Sequence, residues 1–200
     1  MRNFAIILPA AGASSRMRGG DKLLETVDGV ACLRTMAKRA VETGAQVFVT
    51  LPAPDHRRVA VLDGLDVTPI WVPDANLGMA QSLKRGIASL PCGITAAMIL
   101  PPDMPLIETP DMLAVLNAMA AGGALICQAT TESGVLGHPT SFHHSLFGEF
   151  ATLTGDVGAR EIVKRHAAHV KKVPLPGNRA RVDLDAPEDW AGWRTARSAP

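Results

Sequence analysis

The sequence of 200 residues has little cysteine and no pair at CxxC spacing. Its three cysteines, Cys32, Cys92 and Cys127, are odd in number and lie far apart among small or apolar neighbours. A disulfide framework and a cysteine-based zinc site are therefore excluded. We expect all three thiols to be reduced and to lie in the core.

An excess of charge of either sign is also missing. The chain has 20 Lys and Arg against 19 Asp and Glu, and its formal net charge is +1. A protein that binds nucleic acid or an anionic membrane usually carries a clear basic excess. We therefore expect a small-molecule partner, with neither nucleic acid nor membrane.

Long hydrophobic runs are absent near the amino terminus. The run from Phe4 to Leu8 is broken by Pro9, so it is too short for a signal peptide or a membrane span. We expect a cytoplasmic protein. The motifs GxxxxGK[ST], GxGxxG, HExxH and GxSxG do not occur either, which argues against a Walker P-loop, a dinucleotide fingerprint, a zinc protease and a serine hydrolase.

What the sequence does contain is an alternation of short apolar runs with helical periodicity, which predicts an α/β layered domain over residues 1–200. The predicted strands are Phe4–Leu8, Gln46–Leu51, Val67–Val72, Ala97–Leu100, Leu125–Ala129, His138–Phe142, Val170–Val173 and Arg181–Leu184. The predicted helices are Cys32–Thr43, Met79–Ser89, Pro110–Ala121, Ala159–His169 and Pro187–Arg194. We expect a mixed sheet.

Local signals place some boundaries. Thr109 before Pro110 predicts a capped helix start. Pro139 gives no donor to a β-ladder, so we expect its strand at an edge of the sheet or in a mixed-direction pairing. Asp185, with Pro187 and Glu188 after it, predicts an N-cap and capping box.

The segment LPAAGASSRMRGGDKLL, residues 8–24, follows the first strand and is typical of a phosphate-binding loop. Small residues let backbone N–H groups approach an anion, and Arg16 and Lys22 add positive charge. A solvated glycine-rich connection with two exposed cations explains the same composition.

This segment strongly resembles the signature LAAGxSxRMGxxKLL of nucleotidyltransferases with a nucleotide-diphospho-sugar transferase fold, in particular the molybdenum-cofactor cytidylyl- and guanylyltransferases. The resemblance implies a three-layer, Rossmann-like fold with a mixed, mostly parallel sheet. It also implies catalytic roles for Arg16 and Lys22. Arg18 stands where the family has glycine, and one extra residue separates Arg16 from Lys22. The nucleotide-binding residues implied for the loop are Ala10, Ala11, Gly12, Ala13 and Ser14.

Three later segments resemble further parts of the family's site. NLGMAQSLKRG implies nucleotide contacts from Gly78 and Ser82, although Asn76 as a helix cap with Ser82 on the surface is the plain alternative. GHPTSF and TGDVGAR imply acceptor contacts from His138 and Asp156. A hydrogen-bonded histidine beside an edge strand and a cap for the helix near Gly158 are the respective alternatives.

The segment MILPPDMPLI resembles the strand end that carries the family's Mg²⁺ ligand, which makes Asp103 the central catalytic and metal-binding candidate. A carboxylate at the carboxyl end of a buried strand suits Mg²⁺ on bridging phosphates. The alternative is a turn aspartate between prolines. VDLDAPEDW resembles the closing motif, in which Asp183 is a candidate second ligand or a solvent-facing acid.

Taken together, the resemblance implies Mg²⁺-dependent transfer of CMP from CTP to molybdopterin with release of pyrophosphate. Ala10 and Ala11 resemble the cytidylyl branch. A guanylyl- or sugar-phosphate transferase is the enzymatic alternative, and a non-catalytic nucleotide- or cofactor-binding accessory protein is the other. A molybdoenzyme or its chaperone is the implied protein partner.

Overall fold

A computed structural model describes residues 1–198, which form a three-layer α/β/α arrangement around one large sheet. The strands are β1 Phe4–Pro9, β2 Thr26–Val27, β3 Val30–Ala31, β4 Gln46–Leu51, β5 Thr68–Trp71, β6 Ala96–Ile99, β7 Ile126–Thr130, β8 Leu136–His143 and β9 Val170–Pro174. The helices are α1 Cys32–Glu42, α2 Arg57–Ala60, α3 Met79–Ala88, α4 Thr109–Ala120, α5 Phe147–Phe150, α6 Arg160–Arg165 and α7 Pro187–Ser198. Short 3-10 turns lie between several of them.

The large sheet has the strand order β5-β4-β1-β6-β8-β7-β9, and β8 alone among these strands runs antiparallel to its neighbours. The others are parallel to one another. This confirms the predicted mixed, mostly parallel sheet. β2 and β3 form a separate two-stranded ribbon after the loop that follows β1.

Alternate residues of β1 face two different cores, because successive side chains of a strand point to opposite faces. Ile6 and Leu8 pack with α1, α4 and α7 on one face. Ala5 and Ile7 pack with α3, α5 and α6 on the other. Each fully buried Leu or Ile side chain stabilises the fold by about 1.5–3 kcal/mol. The strand is therefore rigid up to Pro9, where the site begins.

Of the two positions predicted for the strand that contains Pro139, the mixed-direction pairing is confirmed and the edge position is wrong. This strand, β8, lies in the interior of the sheet between β6 and β7. The β7–β8 register shifts between Gln128 and Thr130, and Pro139 is paired with neither neighbouring strand in the described register. The bulge therefore accommodates a residue that has no ladder donor to offer.

Two other local predictions are corrected. The segment 181–184 is not a strand: it follows a 3-10 turn at Arg179–Arg181 and contacts the loop after β6 through Leu184. Thr109 is the first residue of α4 and not its N-cap, because Glu108 takes that place. Asp111 Oδ2 accepts a hydrogen bond from Glu108 N at 2.9 Å, which satisfies this helix end.

Several element ends also differ from prediction. The helix predicted at Ala159–His169 is divided into α6 and a 3-10 turn at Ala167–His169, and α7 continues to Ser198. Cys32 and Cys127 are buried as predicted, whereas Cys92 is exposed in the loop before β6. No helix in the described part of the chain has the length and apolarity needed to cross a membrane.

Candidate active site

Lys22 lies between two carboxylates at the carboxyl end of the parallel strands. Its Nζ donates to Asp103 Oδ2 at 2.5 Å and to Asp185 Oδ1 at 2.6 Å. Arg16 Nη1 donates to the other oxygen of Asp185. Two cations and two anions therefore form one cluster, whose formal charge is zero.

The ion pairs of this cluster shift the pKa values of Lys22 and Asp185. Burial by itself would lower the pKa of Lys22, but the charges and hydrogen bonds of Asp103 and Asp185 raise it above its ordinary value. Burial raises the pKa of Asp185, and the hydrogen bond and charge of Lys22 outweigh that effect and hold it below its ordinary value. Lys22 is thus a cation and Asp185 an anion at neutral pH.

The carboxyl-terminal segment brings Asp185 to this place. Leu184 N donates to Asp103 O at 3.0 Å, and Trp190 Nε1 donates to Leu184 O at 3.2 Å. Trp190 is fully buried and anchors α7 on the core. Asp185 is therefore held beside Asp103 by main-chain contacts.

The predicted capping role of Asp185 is wrong. Its side chain binds Lys22 and Arg16. Asp189 Oδ2 instead accepts from the backbone N–H groups of Asp185 and Ala186, at 3.0 and 2.8 Å. Asp189 therefore caps the start of α7, and Asp185 is a charged residue of the site that the sequence pattern does not reveal.

The neighbouring acid, Asp183, is exposed. Desolvation by the surrounding atoms lowers the pKa of His138 below its ordinary value, although the charges of Asp103 and Asp183 tend to raise it. Asp183, His138 and Asp103 thus lie near one another at the same edge of the sheet. The metal-ligand role of Asp183 and the acceptor role of His138 stay predictions.

Beneath the loop that follows β1 lies Arg58, which no pattern in the sequence singles out. Arg58 is 2% exposed, whereas its neighbour Arg57 is exposed. Its guanidinium donates to both carboxylate oxygens of Asp21, at 2.8–3.1 Å. It also donates to Ala10 O at 2.6 Å and to Gly12 O at 2.7 Å.

Ser14 belongs to the same network. Its Oγ accepts from Arg58 Nη2 at 2.9 Å and donates to Asp21 Oδ1 at 3.3 Å. Burial raises the pKa of Asp21, but hydrogen bonds and the charge of Arg58 outweigh this and lower it. The Ser14 hydroxyl therefore stabilises the loop through its hydrogen bonds to Arg58 and Asp21.

A cleft of about 520 Å³ opens above this network, between the loop after β1 and the ends of β4 and β5. Ala11, Gly12 and Ala13 line it, and Ala10 lies buried beneath them. The other lining residues are Gly19, Gly20, Asp21, Pro52, His56, Arg57, Arg58, Val72, Pro73, Ala75 and Asn76. A volume of this size accommodates a small-molecule ligand.

The predicted residues Gly78, Ser82 and Asp156 are not among the residues that line this cleft. Asp156 Oδ1 accepts from Met79 N at 3.0 Å, so it caps α3 and not the helix near Gly158. A Cβ on Gly78 would lie 2.5 Å from the carbonyl of Gly155. Gly78 therefore permits the close approach of the 155–156 segment, and Ser82 is buried on α3.

Within residues 1–198, no group of three or more His, Cys, Asp or Glu side chains is placed to hold a metal ion by itself. Asp103 Oδ1 is nevertheless buried and lacks a described hydrogen-bond partner, although its other oxygen binds Lys22. Asp103 and Asp185 offer carboxylate oxygens, the hard donors that Mg²⁺ and Mn²⁺ prefer. The donor set fits a divalent cation that completes its coordination with ligand oxygens and water.

The model of the MobA-like NTP transferase domain family matches residues 5–170. Among solved structures, the chain is similar to Rv0371c from Mycobacterium tuberculosis H37Rv, with 26% identity, a TM-score of 0.79 and coverage of 100% of both chains. A structure of that protein in complex with manganese covers 98% of both chains, with 25% identity and a TM-score of 0.76.

Two curated proteins extend the comparison. The chain is 28% identical to the bifunctional protein GlmU of Mycolicibacterium vanbaalenii over 93% of its own length and 36% of that protein, so it spans about a third of that relative. It is 22% identical to the 2-C-methyl-D-erythritol 4-phosphate cytidylyltransferase of Salinibacter ruber, over 98% of this chain and 95% of that one.

Proposed function

The chain belongs to the MobA-like NTP transferase domain family, and on that basis we propose that it transfers a nucleotidyl group from a nucleoside triphosphate to a phosphorylated acceptor, releasing pyrophosphate. More specifically, we propose that it transfers CMP from CTP to molybdopterin, the molybdenum cofactor's pterin. The observation that carries it is the cluster of Lys22 with Asp103 and Asp185, beside a cleft lined by Ala11–Ala13.

The cleft supports a position for the nucleotide. Its wall at Val72–Asn76 offers apolar and main-chain surface for a base and ribose, while the opposite wall is the loop 11–13. Among the described hydrogen bonds, the N–H groups of Ala11, Gly12 and Ala13 donate to no protein acceptor. They are available to phosphate oxygens, and Lys22 and Arg16 supply the positive charge nearby.

The proposed reaction needs little activation of the nucleophile, because a phosphate oxygen of the acceptor is already ionised at neutral pH. That oxygen attacks the α-phosphorus, and the bond to the pyrophosphate oxygen breaks. Catalysis then depends on alignment and on neutralisation of the charge on the phosphates. Lys22, Arg16 and the loop amides are the groups of this chain that fit that task.

Asp103 and Asp185 are the residues that would hold a divalent metal ion, and Asp183 is retained as an alternative second ligand. We propose Mg²⁺ as the physiological ion, while the manganese complex of Rv0371c makes Mn²⁺ the second ion to test. When bound, the ion neutralises negative charge on the phosphates. Lys22 Nζ, which donates to both carboxylates, is the ammonium group of this chain next to that position.

The choice of base and acceptor is the finer part of the proposal. Ala11 lines the cleft and is 4% exposed, and we propose that its methyl group restricts the space for a purine base. The similarity to a cytidylyltransferase over nearly the whole chain also favours CTP. His138 is proposed to contact the acceptor directly. Asp156 is proposed to affect acceptor binding indirectly, because its side chain holds the 155–156 segment at the start of α3.

The test is a turnover screen of the four nucleoside triphosphates with molybdopterin and with sugar phosphates, in Mg²⁺ or Mn²⁺. Release of pyrophosphate is measured. The proposal expects acceptor-dependent release, fastest with CTP and molybdopterin. Pyrophosphate release with a sugar phosphate but not with molybdopterin would mean that the proposed reaction is right and the proposed acceptor is wrong. Tight nucleotide binding without any release of pyrophosphate would identify an accessory protein.

A further inference from the structure

Arg58 is more deeply buried than any other charged side chain in the described part of the chain, and its contacts lie on the loop that lines the cleft. A buried guanidinium needs an anion and acceptors for its remaining N–H groups. Asp21 supplies the anion, and Ser14 Oγ supplies one acceptor. The remaining contacts are two main-chain carbonyls of the loop, those of Ala10 and Gly12.

These two carbonyl contacts determine the direction of two peptide groups. In a trans peptide the C=O and the following N–H point to opposite sides. Because Arg58 Nη1 holds Ala10 O and Gly12 O, the N–H groups of Ala11 and Ala13 are turned away from the guanidinium. Those are two of the amides that donate to no protein acceptor among the described hydrogen bonds.

The other end of the network constrains the same loop. Ser14 has a left-handed backbone with φ of +51°, which a non-glycine residue adopts only under tertiary constraint. Its hydroxyl is held by both Arg58 and Asp21. Asp21 directly precedes Lys22, so the network extends from the cleft wall to the cation at the centre of the site.

We infer that Arg58 is a positioning residue for nucleotide binding, which presents the amides of Ala11 and Ala13 to the triphosphate. This rests on the proposed function, because it assumes a triphosphate as the ligand. A lysine in place of Arg58 would keep the positive charge, but its single ammonium lacks the planar set of donors that reaches Asp21 and both carbonyls together.

The test compares Arg58→Lys with Arg34→Lys in the intact chain. Arg34 Nη1 also donates to two main-chain carbonyls, Val61 O and Asp63 O, but it lies outside the residues of the cleft. Dissociation constants are measured by NMR titration for CTP, for GTP and for the corresponding nucleosides. Circular dichroism and the unfolding midpoint show whether each variant is folded at the temperature used.

Arg58→Lys is expected to weaken triphosphate binding by about tenfold to a hundredfold, the size expected from losing hydrogen bonds to charged groups. Nucleoside binding should change by less than about twofold, because a nucleoside has no phosphate for the loop amides to contact. Arg34→Lys should change neither constant. Equal losses for triphosphate and nucleoside, or no loss in a folded Arg58→Lys protein, would overturn the inference.

If Arg58→Lys does not fold, the double variant Arg58→Gln with Asp21→Asn replaces it. This variant leaves no buried charge without a partner, and it is expected to show the same selective loss for triphosphates. Normal triphosphate affinity in the folded double variant would overturn the inference and leave the proposed function intact. A wild-type protein that binds none of the four triphosphates would overturn both.

Discussion

The ammonium group of Lys22 lies 2.5 Å from Asp103 Oδ2, although 81 residues separate the two in the sequence. Lys22 lies in the loop after β1, and Asp103 lies in the loop after β6, the strand beside β1 in the sheet. The contact therefore follows from parallel pairing, which places the ends of adjacent strands together. Under the proposed function, this contact marks the place where phosphates and a metal ion would bind.

The first prediction concerns Asp103. Asp103→Asn removes a negative charge from a loop without removing apolar packing, so the variant should fold while pyrophosphate release falls by about a hundredfold to a thousandfold. Asp66→Asn, an exposed site in the loop before β5, is the control and should keep wild-type turnover. A folded Asp103→Asn enzyme with near-normal turnover at saturating Mg²⁺ would remove Asp103 from the active site.

Substitution of Lys22 should lower turnover far more than substitution of Arg18. Lys22→Ala removes a charge-assisted contact of about 1.5–3 kcal/mol, which corresponds to a loss of roughly tenfold to more than a hundredfold. Arg18→Gly should keep turnover within about twofold, because its partner is Glu188 and both side chains are largely exposed. Steady-state kinetics of the two variants measure this difference. Equal losses of turnover would mean that the loop is aligned with the family signature in the wrong register.

The stability of Arg18→Gly gives a separate check of the loop. Arg18 has a φ of +51°, a conformation that glycine adopts without strain. Relief of about 1 kcal/mol of strain is offset by the lost ion pair and by the greater freedom of glycine in the unfolded chain. The free energy of unfolding, from urea titration, should therefore change by less than about 1 kcal/mol.

The base preference should respond to Ala11. Ala11→Gly removes a methyl group from the cleft wall and should shift the ratio of kcat/KM for CTP over GTP toward GTP by about tenfold, the order expected for one methyl-sized change. Ala53→Gly, outside the cleft, is the control and should leave the ratio unchanged. A wild-type enzyme that already prefers GTP would contradict the cytidylyl proposal and leave the roles of Lys22 and Asp103 standing.

Gly78 provides a prediction about packing at the edge of the site. Gly78 and Gly93 both have positive φ, but a Cβ on Gly78 would collide with Gly155, whereas a Cβ on Gly93 would meet nothing within 4 Å. Gly78→Ala should therefore lose about 1–3 kcal/mol more unfolding free energy than Gly93→Ala. Denaturant titrations of both variants measure the difference, and equal losses would show that the 155–156 segment moves aside without cost.

The pH dependence of stability should reveal the Asp21–Arg58 pair. The pKa of Asp21 is lowered from 3.8 in the folded protein, so its contribution is present above 3.8 and is lost as the pH falls below that value toward the folded pKa. Asp21→Asn should be clearly less stable than wild type at pH 7, and the gap should narrow near pH 3. Urea titrations at both pH values test this, and a gap of constant size would contradict it.

Much of the fold could be predicted because its causes are local. Apolar runs and helical periodicity indicate which segments are buried, and they predict the seven strands of the large sheet and the helices α1, α3 and α4 close to their observed ends. The loop with Lys22 and the acid at the end of β6 were also recognisable, because each lies in one short segment. Asp103 could be named without knowing which residue it would contact.

The remaining features were decided by the tertiary structure. Asp185 carries the local pattern of a helix cap, but a fully buried Trp190 and the Leu184 contact place it beside Lys22, 163 residues away. Arg58 follows an exposed arginine and differs from it only in lying beneath the β1 loop. Periodicity and capping patterns report on neighbours along the chain, whereas the partner of a buried charge depends on which distant segments pack together, and that is decided by the free energy of the whole fold.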